Sequence, residues 1–81
     1  DTNKVREKTR KQEIVEARQI AMYFSKKYTK SSLKTIGLHF GGRDHSTVIH
    51  AISTVEERVT TSHKHKKMLD ELQQRIEVAS L

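Results

Sequence analysis

The strongest constraint on this chain is the placement of its helix breakers. The 81 residues contain no proline, and all three glycines, Gly37, Gly41 and Gly42, fall within one six-residue stretch. Glycine and proline are the strongest punctuators of regular backbone. Helix can therefore run freely on both sides of "GLHFGG", and the sharpest change of direction belongs at Gly41-Gly42. Directly after it comes "RDHSTVIHA", Arg43 to Ala51, a run of polar residues that turns apolar only at Val48.

A chain of this length makes one small domain, which buries only about 60% of the surface its unfolded form exposes. With 33% hydrophobic residues, two Phe, two Tyr and no Trp, it can build a thin helical core but not a deep catalytic cleft. Apolar or small residues at Ile14, Ala17, Ala21, Phe24 and Tyr28 recur at spacings of three and four, with Ile20 widening the stripe. That period predicts a helix over 13–28. "TKSS" then favours a stop and a new start, with Ser31 or Ser32 as N-cap. A short second helix follows over 33–39, with Leu33, Ile36 and Phe40 inward. Gly41-Gly42 ends it in the left-handed conformation that glycine tolerates.

Asp44 is an N-cap candidate for a third helix, its carboxylate placed to accept from the backbone N–H of Ser46 or Thr47. Val48, Ile52, Val55 and Val59 carry that helix to about Thr61. After "TTSH", Leu69, Leu72, Ile76 and Ala79 stripe a last one. The expected fold class is all-α: a small helical domain with a helix-turn-helix and a C-terminal packing helix. Residues 1–12, which hold all but the last residue of the basic run "KVREKTRKQE" (Lys4 to Glu13) and have no hydrophobic face, read as a polar, partly mobile arm. Residues 13–81 form the folded domain.

The net charge of +6 is unevenly placed. Residues 1–44 carry eleven basic and five acidic side chains, and residues 45–81 carry five of each. Such asymmetry points to a polyanionic partner, nucleic acid or an anionic membrane surface, with a solvated charged face as the alternative. Zero cysteines exclude a disulfide framework and thiolate zinc sites, and fit a reducing compartment. No apolar run approaches a membrane span, and the basic start lacks the apolar stretch of a signal peptide. A soluble cytoplasmic protein is expected. With a start at Asp1 rather than Met, the chain is expected to be a piece of something longer.

Two helices joined by a short glycine-containing turn outline a helix-turn-helix. The second helix of such a motif puts its N-terminal residues on base edges in the major groove. Here those residues are Asp44, His45, Ser46 and Thr47. Asp44 can accept from the cytosine amino group if capping leaves it free, His45 and Thr47 can hydrogen-bond or pack a thymine methyl, and Ser46 can pair with several edges. Arg43, on the turn, is placed to meet a phosphate. The alternative is that Asp44, Ser46 and Thr47 only cap the helix.

"GGRDHSTVIHA" resembles the signature of the DNA-binding domain at the C-terminus of the bacterial chromosomal replication initiator DnaA. "ARQIAMYFSKKYTKSSLKTIG" is similar to the helix and the start of the helix-turn-helix that precede it in that family. The resemblance is close over 8–51 and looser beyond. It implies binding to duplex DnaA boxes of the TTATNCACA type at the replication origin. It also implies that Lys34, Asp44, His45, Ser46 and Thr47 face the major groove, that Arg10 reaches into an A·T-rich minor groove, and that Arg18, Gln19, Lys26 and Arg43 grip phosphates. A narrow A·T minor groove concentrates negative potential, which suits arginine.

The chain departs from the family at Lys34, where some members carry a proline that packs on a thymine methyl, and at Ser46, where threonine is common. In the family another helix precedes the basic arm, and Asp1 to Arg6 are not expected to supply it. The resemblance further implies no cofactor in this segment, ATP being expected only in a preceding domain. As partners it implies duplex DNA with DnaA boxes and the other domains of the initiator, the fragment itself being a monomer in a cytoplasmic, nucleoid-associated protein.

Competing readings are weaker. "GLHFGG" lacks the Lys-Ser/Thr and the preceding strand of a phosphate loop. His45 and His50, five apart, do not share a helical face for metal binding, His50 is expected to flank the core, and His63 and His65 are expected to be exposed without acidic companions. Asp44, His45 and Ser46 are neighbours in one turn and cannot orient one another as a catalytic triad. No enzyme is expected. The rival from another class is a helical interaction module whose apolar stripes bind partner helices.

Overall fold

The computed structural model describes residues 2–79, with side chains from Val5 to Ala79. Four helices follow in order: α1 (Thr2–Tyr28), α2 (Leu33–His39), α3 (His45–Thr61) and α4 (His63–Ala79). The described residues contain no strand, so the domain is all-α as expected.

The helix starts have local causes. Ser32 caps α2, its side chain accepting from the backbone N–H of Thr35 at 3.1 Å. Asp44 caps α3 in the same way. At the start of α4, Ser62 Oγ accepts from the backbone N–H of His65 at 3.4 Å. Each satisfies a backbone donor that the first turn leaves without an intrahelical partner. Gly41 and Gly42 adopt φ of 92° and 72°, the left-handed region anticipated for them.

Two small cores hold the helices. The first joins α1, α2 and α3 through Met22, Ile36, Val48 and Ala51, with Leu33, Phe40 and Ile52 packed against them. The second joins α1, α3 and α4 through Phe24, Val55 and Leu69, bordered by Ile20, Tyr23, Val59, Leu72 and Ile76. Met22 and Phe24 lie about 200° apart on the helix. α1 is thus met from two sides, by α2 and α3 on one and by α3 and α4 on the other.

Three expectations need correction. α1 begins at Thr2 rather than at Glu13, so the stretch read as a polar, partly mobile arm leading into the first helix is itself helical from Thr2 onward. Its Lys, Arg, Glu and Gln residues are good helix formers, and extending a helix already nucleated further along adds little cost. Residues 5–15 are nonetheless exposed, in keeping with the stretch's lack of an apolar face. The stripe predicted over Ile14 to Tyr28 is not the buried side as a whole: Ile14 is 58% and Tyr28 41% exposed, whereas Met22 is 1% exposed. Finally, His50 is exposed and His65 half-buried, its Nδ1 2.9 Å from Ser62 Oγ. Ser80 and Leu81, the end of the predicted domain, lie outside the described residues.

Candidate nucleic-acid interface

The interface is set by how α2 delivers the chain to α3. The carbonyl oxygen of Gly37 accepts from the backbone N–H of Phe40 at 3.2 Å and from that of Arg43 at 2.9 Å. Gly37 is buried, and a Cβ placed on it would lie 2.0 Å from the Arg43 carbonyl oxygen. Only a residue without a side chain lets the turn fold this closely onto α2. The Arg43 guanidinium folds back as well, Nε donating to the Phe40 carbonyl at 3.1 Å. The terminal nitrogens of that guanidinium remain for a ligand.

Asp44 Oδ1 accepts from both the backbone N–H of Thr47, at 2.9 Å, and its hydroxyl, at 3.0 Å. These two bonds, the backbone one first, hold the Asp44 carboxyl below its ordinary pKa, since they favour the charged form. The choice left open between capping and base contact is thereby answered in part: Asp44 caps. It also fixes Thr47. With its proton committed to Asp44, the Thr47 hydroxyl offers oxygen lone pairs and its methyl to anything docking on the tip. His45 and Ser46 are exposed in the same turn, and their side chains have no hydrogen-bond partner among the described residues.

The remaining predicted contacts fall at several distances from this tip. Lys34 is exposed in the first turn of α2, and Lys26 is exposed in the last turn of α1. Arg18 and Gln19 are half-buried on α1. Gln19 Oε1 accepts from Arg58 Nη1 of α3 at 2.8 Å. The carbonyl end of that amide is therefore tied down and the NH2 end, the donor a phosphate needs, is left unpaired. Arg10 stands apart. It lies eight residues before Arg18, about 12 Å along the helix axis, on the exposed stretch of α1.

Sequence reasoning missed Gly37 and Arg58. A glycine isolated inside a helical pattern usually has a packing reason, so Gly37 carried a readable signal. Arg58, paired across 39 residues with Gln19, carried none. Among the described residues no group of three metal-binding side chains converges, and no helix is long and apolar enough to cross a membrane.

The family described as the bacterial dnaA protein helix-turn-helix matches residues 1–55. The chain is 56% identical over 80 residues to the chromosomal replication initiator protein DnaA of Chlorobaculum tepidum, a match covering 99% of the chain and 16% of the relative. It is 47% identical over 76 residues to that of Flavobacterium psychrophilum, covering 94% of the chain and 16% of the relative. Over 59 residues it is 51% identical to that of Wolbachia pipientis wMel, with 73% and 13% covered. It thus spans about a sixth of the length of the first two of these relatives. No solved structure matches it.

Proposed function

Because the chain belongs to the bacterial DnaA helix-turn-helix family, a family of non-catalytic, sequence-specific duplex-DNA-binding domains, we propose that it binds DnaA boxes of the TTATNCACA type. In this reading α3 enters the major groove tip first. His45, Ser46 and Thr47 meet base edges, with Asp44 setting the geometry of Thr47 and reaching a cytosine amino group. Lys34 lies at the rim of the same groove. Arg18, Gln19, Lys26 and Arg43 bind phosphates, which fix position and affinity rather than sequence. Arg10, carried outward by the exposed start of α1, reaches the minor groove at the A·T-rich end of the box.

The observation that carries this reading is the tip of α3: a first turn locked by the Asp44–Thr47 pair, with His45 and Ser46 exposed and unpaired beside it. The held Thr47 side chain loses little freedom on docking, which favours discrimination between bases, while His45 and Ser46 keep their polar groups available to base edges. The biological setting proposed with it is initiation of chromosome replication in the bacterial cytoplasm, on the nucleoid. There the domain would act as a monomeric unit of a longer protein whose preceding domain uses ATP.

The test is a titration by fluorescence anisotropy of the chain against a TTATCCACA duplex and against a scrambled duplex. The box should bind more tightly. Contacts to about five to eight phosphates should weaken binding to both duplexes by a hundred-fold or more over a fourfold rise in salt. His45→Ala should lose about 1–3 kcal/mol on the box and little on the scrambled duplex. Equal losses on the two would remove His45 from base recognition, and a salt-independent interaction without box preference would favour a helical protein-interaction module instead.

A further inference from the structure

The outer side of α3 continues past its first turn. At about 100° per residue, His45, Ser46, Ile49, His50 and Ser53 fall within an arc of about 140° with His45 and His50 at its edges and Ile49 between them, and all five are exposed. Val48, Ala51 and Val55, on the other side, are buried. Four of the five outer residues are polar. Ile49 is the exception, with 48% of its surface exposed and no place in either core cluster.

Ile49 follows His45 by four residues, which places it about 6 Å further along the axis, less than two base steps of roughly 3.4 Å. The major groove is about 12 Å wide and 8.5 Å deep and admits a helix. If the first turn of α3 meets base edges, the outer side of the second turn lies in the same groove. A branched aliphatic side chain has no hydrogen bond to offer there. The thymine C5-methyl is the base-edge group that it complements.

We propose that Ile49 is a further specificity-determining residue, packing on a thymine methyl one to two base steps from the base met by His45. The inference rests on the box-binding reading above. It assigns part of sequence recognition to an apolar contact on the side of α3 that the fold does not use.

The experiment replaces each thymine of the box, on either strand and one at a time, by uracil, which pairs identically but lacks the methyl. The wild-type chain should lose about fivefold in affinity at one or two of these positions, the effect of uncovering one to two carbon groups. Ile49→Ala should bind the unmodified box about fivefold more weakly and lose nothing further at one of those same uracils. Alanine is the better helix former and the position is exposed, so circular dichroism should show the fold intact. Ile49→Val, which keeps the branch, should recover part of the loss and guards against any disturbance caused by truncation. Losses that add fully at every thymine, with preference for the box over scrambled duplex retained, would overturn the Ile49 contact alone. A wild-type chain that does not distinguish the box would overturn both this contact and the reading beneath it.

Discussion

Around the turn between α2 and α3, the contacts that fix geometry each have main chain on at least one side. Gly37 presses against the Arg43 carbonyl, two backbone N–H groups converge on the Gly37 oxygen, and Asp44 holds the start of α3. The seam between α1 and α4 is held by side chains instead. It has the Phe24–Leu69 core, bordered by exposed pairs such as Lys27 Nζ to Gln73 Oε1 at 2.8 Å and Tyr28 OH to Glu77 Oε1 at 3.3 Å. Contacts anchored in main chain leave few rotamers to adjust, and pairs of long exposed side chains leave many. The region that must present a tip to a rigid duplex uses the first kind, and the region that only has to stay together uses the second.

Gly37→Ala should do the greatest damage. The new methyl would meet backbone rather than a movable side chain, so a loss on the order of 4 kcal/mol is expected, beyond ordinary overpacking. Thermal melting followed by circular dichroism would measure it. A stable Gly37→Ala chain with unaltered box binding would break the contrast between the two regions.

Leu69→Ala should cost about 2.5 kcal/mol of stability, the lower end for a buried leucine, since a seam between two helices can partly collapse. The ratio of box to scrambled affinity should nevertheless be unchanged at temperatures where the variant is folded. A changed ratio would mean that the seam sets the position of the tip.

Asp44→Asn sharpens the comparison within the turn itself. The folded-state pKa of Asp44 is depressed, so its contribution to stability is present above the unfolded carboxyl pKa and lost as pH falls through the folded value. Asparagine caps about as well as aspartate and does not titrate. Near pH 7 the variant should melt close to wild type, while its stability should fall less steeply below pH 4. Parallel acid profiles for the two chains would show that Asp44 is not the group that links the turn to pH.

What the sequence disclosed follows the same division. α3 was legible because one side of it is buried along its whole length, so Val48, Ile52, Val55 and Val59 recur with one period. The breaks at Ser32, Gly41, Gly42 and Asp44 were legible because each depends on the chemistry of a single residue. α1 misled because it meets two neighbours at different azimuths: a single apolar stripe cannot describe a helix that buries both Met22 and Phe24, and it wrongly enlisted Ile14. The polar tip of α3 was visible at once, and its Asp44–Thr47 lock was anticipated as a cap. That Asp44 also claims the Thr47 hydroxyl, and that Arg58 turns the Gln19 amide, depends on rotamers and on approach across space, which no local pattern encodes.

Gly41 and Gly42 have no atom within 4 Å of where a side chain would begin. Their need for glycine is thus one of handedness alone, since φ of 92° and 72° is unfavourable for an L residue and natural for its mirror image. An L-alanine at either position would therefore be opposed by backbone conformation and not by crowding, at a cost of about 1–2 kcal/mol, whereas at Gly37 the opposition is crowding against main chain. The turn thus needs glycine for two unlike reasons only a few residues apart.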